Sequence, residues 1–232
     1  MVTFWCAVVV VIWLALRQAK FEKIDKKLMW LLFIWTFCSG ILFSRLFITL
    51  FWYKGTFINS ILFFFNFSRS GLSSYGAVFG IILGAYIFNL RQRCKNIKIS
   101  IWKMLDVASI GMMLGLAIGR IGCFLAGCCY GKEIVMNIPW AIMYKGALRH
   151  PTQVYDMLNG LFVFFVVWKL KNRKHFEGQL FLTNIILYSF FRIIVEIFRV
   201  GPKIGMISYN QIFYGLLLVV GGFIYYRKSK HQ

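Results

Sequence analysis

Residues 180–200 read LFLTNIILYSFFRIIVEIFRV, and this stretch decides the fold class of the chain. A helix needs about 20 mostly apolar residues to cross the hydrocarbon core of a membrane, and the stretch meets that requirement. It nevertheless carries Arg192, Glu196 and Arg199. Charged side chains inside a membrane cost about 3 kcal/mol each and mark function by default. The same stretch therefore predicts both a transmembrane helix and a site.

The composition of the whole chain agrees with a membrane protein. Of its 232 residues, 60% are hydrophobic and 15% are charged, whereas an average soluble domain has about 45–50% apolar and about 25% charged residues. This balance excludes a soluble enzyme, a disordered tail and a disulfide scaffold. The net charge of +20 would indicate nucleic acid binding in a soluble protein. Here we expect the basic residues in cytoplasmic loops beside anionic lipid headgroups, with no nucleic acid partner.

Apolar runs that can cross a membrane recur along the chain. We predict seven spans: Val2–Leu16, Leu28–Phe51, Leu72–Leu90, Ile99–Ile118, Val154–Trp168, Leu180–Val200 and Ile204–Tyr226. The segment Phe57–Phe67 is apolar but shorter, so we predict an interfacial or re-entrant piece there. We expect no cleavable signal peptide, because the first span has no basic segment before it and is followed by charges.

The basic residues predict the orientation of these spans. Clusters of Lys and Arg lie at 17–27, 91–98, 169–174 and 227–230, and seven spans place all four on one side. Since cytoplasmic loops are enriched in Lys and Arg, the N-terminus is expected outside and the C-terminus in the cytoplasm. The predicted fold is an all-α integral membrane protein with seven transmembrane helices, forming one polytopic domain over residues 1–232.

The polar residues of the sixth span share one helix face. Tyr188, Arg192, Glu196 and Arg199 occupy an arc of about 80° when the helix has about 3.6 residues per turn. Arg192 and Glu196 can form an ion pair that only holds helices together. Two arginines against one glutamate leave an unmatched cation, however, and this favours the binding of an anion.

Three other segments place polar groups at the same outer side of the membrane. Residues 119–131 read GRIGCFLAGCCYG. An arginine beside flexible backbone, here Arg120, suits a phosphate, while a tight helix crossing would explain the glycines but not the arginine. In RHPTQVYD, His150 stands at the interface, where a lone histidine is more often a surface residue than a catalyst. In GLSSYGAVFG, Tyr75 can reach a lipid headgroup or act as an aromatic-belt anchor. An anionic phospholipid is the simplest partner for these groups.

The cysteines form no recognisable framework. Three of the six lie in or beside apolar runs, where we expect them to pack. The others, Cys123, Cys128 and Cys129, cluster on the outer side. A zinc site requires a fourth ligand at a recognisable spacing, so we predict no metal. A disulfide through Cys123 would be strained if its segment is helical.

Taken together, these motifs resemble the prolipoprotein diacylglyceryl transferases of bacteria. GLSSYG looks like the family's G-G-x-x-x-H/Y-G, and GRIGCFLAGCCYG looks like its signature G-R-x-G-N-F-x-N-G-E-x-x-G. HPTQVYD is close to H-P-[ST]-Q-L-Y-E, and Y-x3-R-x3-E-x2-R at 188–199 matches the penultimate span. The motifs occur in the family's order over essentially the whole chain, and the family has the same seven-helix topology.

The resemblance implies an activity and a location. The family transfers the diacylglyceryl group of phosphatidylglycerol to the thiol of a lipobox cysteine in a secreted preprotein, and it releases glycerol phosphate. Members are multi-pass proteins of the bacterial cell membrane. Phosphatidylglycerol, lipobox-containing preproteins and membrane lipid are therefore the expected partners, with no metal or organic cofactor.

The resemblance also implies roles for individual residues. Arg120 and Arg192 would hold the lipid phosphate, Glu196 would order the same face, and Tyr75 and His150 would complete the catalytic cavity. The expected substrate-binding residues are Arg199, Tyr188, Gln153, Tyr155, Gly122 and Cys128.

The signature departs from the family pattern, and cysteines stand at two of the changed positions. The family's glutamate falls on Cys128, and its first asparagine falls on Cys123. The departure at Cys128 motivates an alternative, a catalytically diverged phospholipid-binding paralogue without transfer activity. A small transporter is a third reading, but its charges would continue through the bilayer and its halves would repeat. Here the charges concentrate at the outer side.

Overall fold

The computed structural model describes residues 2–51, 64, 73–94, 99–134, 138–201 and 203–230, and these residues form mainly helices. The helices are α1 Val2–Phe21, α2 Lys26–Phe51, α3 Ser74–Cys94, α4 Ile101–Leu125, α5 Thr152–Leu170, α6 Gln179–Ile197 and α7 Tyr209–Lys230. Two short antiparallel hairpins complete the description: β1 Ile142–Tyr144 with β2 Ala147–Arg149, and β3 Lys203–Ile204 with β4 Ile207–Ser208.

Each predicted span falls on a helix, which confirms the all-helical prediction. Among the described residues, four helices are long and apolar enough to cross a membrane: α1, α2, α4 and α6. The last predicted span began too early, because residues 203–208 form the β3–β4 hairpin and α7 begins at Tyr209. A left-handed φ of +60° at Gly205 makes that turn. Of the predicted segment Phe57–Phe67 only Phe64 is described, so that prediction lies outside the described residues.

The chain divides into two compact units. The first unit comprises residues 1–22 and 102–232, and its core joins α4, α5 and α6. The buried side chains of this core are Ile110, Met113, Val163, Val167 and Leu180. On α5, Gly160 lets α4 approach closely, because a Cβ there would lie 3.0 Å from the carbonyl oxygen of Met113. Helix packing in a membrane depends on such small residues.

A buried carboxylate fixes the start of α6 within this unit. The Oδ2 atom of Asp106, on α4, accepts a hydrogen bond from the backbone N–H of Gly178 at 2.7 Å. Its Oδ1 atom accepts one from the N–H of Phe181 at 3.0 Å. These N–H groups have no partner within the helix, so Asp106 acts as a cap supplied by another helix.

The second unit, residues 23–101, contains α2 and α3. Gly76, Gly80 and Gly84 lie at every fourth position of α3 and face α2. A Cβ at Gly80 would lie 2.8 Å from the Cβ of Phe43, and one at Gly84 would lie 2.9 Å from the carbonyl oxygen of Trp35. The two helices therefore cross at backbone distance, as small-residue motifs in membranes allow.

Candidate functional site

Three arginines of the first unit converge on one buried carboxylate. Asp156, near the start of α5, is 0% exposed. Its Oδ2 atom lies 3.2 Å from Nη2 of Arg120 and 3.4 Å from Nη1 of Arg199, and its Oδ1 atom lies 3.5 Å from Nη1 of Arg192. With Glu196 these residues form what we call the arginine cluster.

Helices α6 and α7 supply the rest of this cluster's contacts. Nη2 of Arg192 lies 3.0 Å from Oε2 of Glu196, one turn further along α6. Asn210, at the start of α7, donates a hydrogen bond from Nδ2 to Oε1 of Glu196 at 2.7 Å. The guanidinium of Arg192 also stands over the ring of Tyr214, 5.5 Å from its centroid. Glu196 is therefore held from two sides, which fixes Arg192.

The charge of the cluster is not balanced. Three guanidinium groups face the two carboxylates of Asp156 and Glu196, which leaves one positive charge. Nε and Nη1 of Arg192 make no hydrogen bond within the described residues, although buried donors normally have partners. The side chains of Arg120 and Arg199 are 21% and 18% exposed, against 5% for Arg192. The cluster can therefore receive an anion, and guanidinium groups suit a phosphate.

The loop after α4 pairs with the chain segments that precede α5 and follow α6. The N–H of Gly131 donates to the carbonyl oxygen of His150 at 2.9 Å, and the N–H of Lys132 donates to that of Phe198 at 2.8 Å. Only glycine fits at 131, because a Cβ would lie 2.8 Å from Cγ2 of Thr152 and 2.9 Å from the Cβ of His150. The backbone of Gly131 thus contacts both His150 and Arg199, with which it forms an antiparallel bridge.

His150 is held by aromatic neighbours. Its Nδ1 lies 3.1 Å from the hydroxyl oxygen of Tyr155, and that oxygen accepts a hydrogen bond from Nε1 of Trp140 at 2.9 Å. The ring of Phe198 packs 4.8 Å away, centroid to centroid. Burial, together with the ammonium of Lys132, lowers the pKa of His150 below its usual range. The imidazole is therefore neutral at pH 7 and can accept a proton.

A turn at the end of α4 brings Cys123, Cys128 and Cys129 together. The carbonyl oxygens of Cys128 and Cys129 accept hydrogen bonds from the side chains of Gln153, at 2.5 Å, and Thr152, at 2.8 Å. Burial, together with the adjacent Cys129, raises the pKa of Cys128 to about 12. In the absence of other ligands Cys128 is thus a neutral thiol at pH 7, and it is not a base.

The structure brings most of the predicted site residues together. Arg120, Arg192, Glu196 and Arg199 share the arginine cluster. Tyr188 interacts with Arg120, and its ring packs 5.9 Å from that of Tyr214.

The remaining predicted residues lie around the cluster or in the other unit. Gln153 and Cys128 bond to each other at the turn, and Tyr155 holds His150. Gly122 faces α1, since a Cβ there would lie 3.1 Å from the Cβ of Thr3. Tyr75 belongs to α3 of the second unit, where its ring packs 6.3 Å from that of Phe47.

Asp156 and Asn210 were not predicted as site residues. Charge balance gave a signal for Asp156, because the whole chain has only seven Asp and Glu and buried arginines need a counter-ion. Asn210 gave no such signal, since its contact to Glu196 depends on how α7 packs on α6.

The fold and the site define a class of protein: a helical membrane protein with a cluster of buried arginines and carboxylates at one end of its helices. A sequence model of the family described as prolipoprotein diacylglyceryl transferase matches residues 2–227. The chain belongs to that family, which confirms the resemblance.

Individual relatives bear the same description. A phosphatidylglycerol–prolipoprotein diacylglyceryl transferase of Aliarcobacter butzleri is 42% identical over 131 residues, covering 56% of this chain and 46% of the relative. One of Clostridioides difficile is 37% identical over 161 residues, 69% of this chain and 62% of the relative. One of Finegoldia magna is 31% identical over 222 residues, 94% and 85% of the two chains. The chain thus spans about half the length of some relatives and most of another.

Proposed function

We propose that the chain transfers the diacylglyceryl group of phosphatidylglycerol to the lipobox cysteine of secreted preproteins. The observation that carries this proposal is the single surplus positive charge of the arginine cluster. A phosphodiester such as phosphatidylglycerol carries one negative charge and matches it. Membership of the family and the names of its relatives support the same substrates.

In the proposed reaction the thiol sulfur attacks the glycerol carbon that bears the phosphate. A C–S bond forms, the C–O bond breaks, and the bonding electrons stay on the phosphate oxygen, which leaves as glycerol phosphate. The diester thereby becomes a monoester with additional negative charge. Arg120 and Arg199 reach solvent and would contact that oxygen. A preorganised donor that strengthens its contact as charge develops is worth about 10²–10³ in rate.

The remaining cluster residues would keep these arginines in place. Asp156 holds all three guanidinium groups before the lipid arrives, so the site need not reorganise when charge develops. Glu196 and Asn210 orient Arg192 in the same way. His150 is neutral at pH 7 and directly precedes α5, which carries Asp156, so it would accept the thiol proton.

We further propose seven transmembrane helices in the bacterial cell membrane, with the N-terminus outside. The arginine cluster draws on the last turns of α4 and α6 and on the first turns of α5 and α7, so it lies at one end of this unit's helices. The last turn of α7 carries Arg227, Lys228 and Lys230 at the opposite end. By the positive-inside rule we therefore expect the cluster at the outer side, where preproteins emerge.

The test is a transfer assay with the purified chain in vesicles that contain phosphatidylglycerol. Mass spectrometry of an added lipobox peptide should detect a thioether-linked diacylglyceryl group. The variant Arg120→Ala should form this product about 10²-fold more slowly, because one preorganised donor is lost. Arg149→Gln is the matched control. Arg149 is also a partly exposed arginine, but it pairs with Glu133 and not with Asp156. Transfer by Arg120→Ala at the wild-type rate would contradict the proposed role of Arg120.

A lipid-binding paralogue without turnover is the second candidate, favoured by the thiol of Cys128 at the position of the family's glutamate. This candidate predicts that the chain binds phosphatidylglycerol in the vesicles but leaves the peptide unmodified. Cys128→Glu should then gain transfer activity. Product formation by the unmodified chain excludes this candidate.

A further inference from the structure

Three thiols lie together at the end of α4. The Sγ atoms of Cys123, Cys128 and Cys129 are all within 4.8 Å of one another, and those of Cys128 and Cys129 are 3.6 Å apart. All three cysteines are free, and Cys128 and Cys129 are exposed. We call these residues the thiol cluster.

The way in which α4 ends produces this cluster. Gly127 has a φ of +63°, and the N–H of Cys128 donates to the carbonyl oxygen of Cys123 at 3.1 Å. The N–H of Gly127 donates to the carbonyl oxygen of Phe124, also at 3.1 Å. This pair of bonds is a Schellman motif, in which glycine takes the left-handed position. The motif returns the chain over the last turn, so that Cys128 lies above Cys123.

The spacing of the thiols suits a metal ion. Zinc binds thiolate sulfur at about 2.3 Å, so two sulfurs of a tetrahedral site are about 3.8 Å apart. The thiol cluster needs to contract by about 1 Å at most to reach that spacing. Soft thiolate ligands select zinc over calcium and magnesium. In the part of the chain that the structure describes, no further His, Cys, Asp or Glu joins the three thiols.

We propose that Cys123, Cys128 and Cys129 form a zinc site with three thiolate ligands and a fourth position open to water. Binding transfers one proton from each thiol to the solvent, and the complex of three thiolates with Zn²⁺ carries one negative charge. The guanidinium of Arg120 interacts with Cys123 and offsets that charge. The proposal is independent of the proposed transfer activity.

Zinc at this position would join two helices. The carbonyl oxygens of Cys128 and Cys129 already accept hydrogen bonds from Gln153 and Thr152, in the first turn of α5. A metal that fixes the turn would therefore fix the end of α4 against the start of α5. The bound ion should consequently raise the thermal stability of the chain by mass action.

The experiment uses the full chain, reduced and purified in detergent micelles. Zn²⁺ is titrated against a chromophoric chelator, and Cd²⁺ replaces it in a second titration that records the sulfur-to-metal charge-transfer absorption. We expect one zinc per chain and a charge-transfer band that grows to the same endpoint. Cys123→Ser, Cys128→Ser and Cys129→Ser should each lower the affinity by more than about tenfold, because removal of even an outer contact has that effect.

Cys6→Ser is the matched control, since Cys6 is an exposed thiol of α1 outside the cluster, and it should bind zinc like the wild type. Circular dichroism should show that all four variants are helical. The proposal would be overturned if the reduced chain bound no zinc at stoichiometric concentration. Equal affinity in the control and the three cluster variants would overturn it as well.

Discussion

Asp106 and Asp156 are both buried carboxylates of the first unit, 1% and 0% exposed, but they lie at opposite ends of its helices. Asp106 accepts two short hydrogen bonds from backbone N–H groups, at 2.7 and 3.0 Å. Asp156 has three guanidinium partners at 3.2 to 3.5 Å. Backbone donors of a helix start are fixed in place, whereas arginine side chains can turn toward another acceptor.

The difference predicts a structural role for Asp106 and a role in ligand binding for Asp156. Asp106 is satisfied by the fold itself, so nothing else needs to bind there. Asp156 has more cationic charge around it than it can neutralise, and its Oδ1 atom makes no hydrogen bond within the described residues. An incompletely satisfied polar cluster is costly to bury, and a ligand that completes it recovers that cost.

The largest effect should follow removal of Arg192, which contacts both carboxylates of the arginine cluster. Arg192→Ala should lower the transfer rate per folded chain by about 10²–10³-fold, since one preorganised donor is worth that much. The measurement is product formation in phosphatidylglycerol vesicles, normalised to folded protein by circular dichroism. Arg192→Lys is the control that keeps the charge but cannot contact both carboxylates through a planar guanidinium group. Its transfer rate should lie between the rates of Arg192→Ala and the wild type. A rate for Arg192→Ala within threefold (about 0.65 kcal/mol) of wild type would contradict the role of the cluster.

Asp106→Asn should affect stability and leave catalysis intact. The asparagine keeps one acceptor oxygen but turns an N–H₂ group toward a backbone donor, which should cost about 1–3 kcal/mol. Thermal unfolding followed by circular dichroism measures this loss. The transfer rate per folded chain should equal that of the wild type. If Asp106→Asn were as stable as the wild type but slow in transfer, the structural role assigned to Asp106 would be wrong.

Asp156→Asn should be less stable than the wild type, and a bound anion should restore part of the lost stability. The substitution leaves three guanidinium groups with one carboxylate, so inorganic phosphate should bind and stabilise the folded chain. At about ten times its Kd, phosphate adds about 1.4 kcal/mol. Phosphate should therefore raise the melting temperature of Asp156→Asn and have no such effect on Asp106→Asn. An equal response of both variants would remove the distinction between the two carboxylates.

The sequence predicted the parts of this comparison that depend on local spacing. The four-residue step from Arg192 to Glu196 predicted their pairing, and the apolar runs predicted the helices. The surplus of arginine over glutamate in span six also predicted an anion site. Each of these rests on the period of one helix, which a single stretch of sequence contains.

The long-range contacts were not predictable in the same way. Asp156 meets Arg192 only because α5 packs beside α6, and Asp106 caps α6 although it belongs to α4. The thiol cluster depends on the left-handed turn at Gly127, so the cysteine spacing alone gave no metal signature. In each case the relevant distance is set by tertiary packing or backbone geometry, which periodicity does not encode.

The smallest effect concerns pH and involves His150, which directly precedes the helix that carries Asp156. Burial and Lys132 lower the pKa of His150 below its usual value of about 6.5, so its neutral form persists between pH 8 and pH 6.5. Over that pH range the transfer rate should change by less than about twofold, and it should fall only at lower pH.

The stability of the chain should also decrease at low pH. As the pH falls below about 6.5, the unfolded chain binds a proton at His150 before the folded chain does. The free energy of unfolding therefore decreases below that pH, and the contribution of this histidine to stability is fully present above it. His150→Asn should remove this acidic limb from the unfolding curve. If the limb persists in the variant, another titratable group is responsible for it, and the lowered pKa of His150 is not its cause.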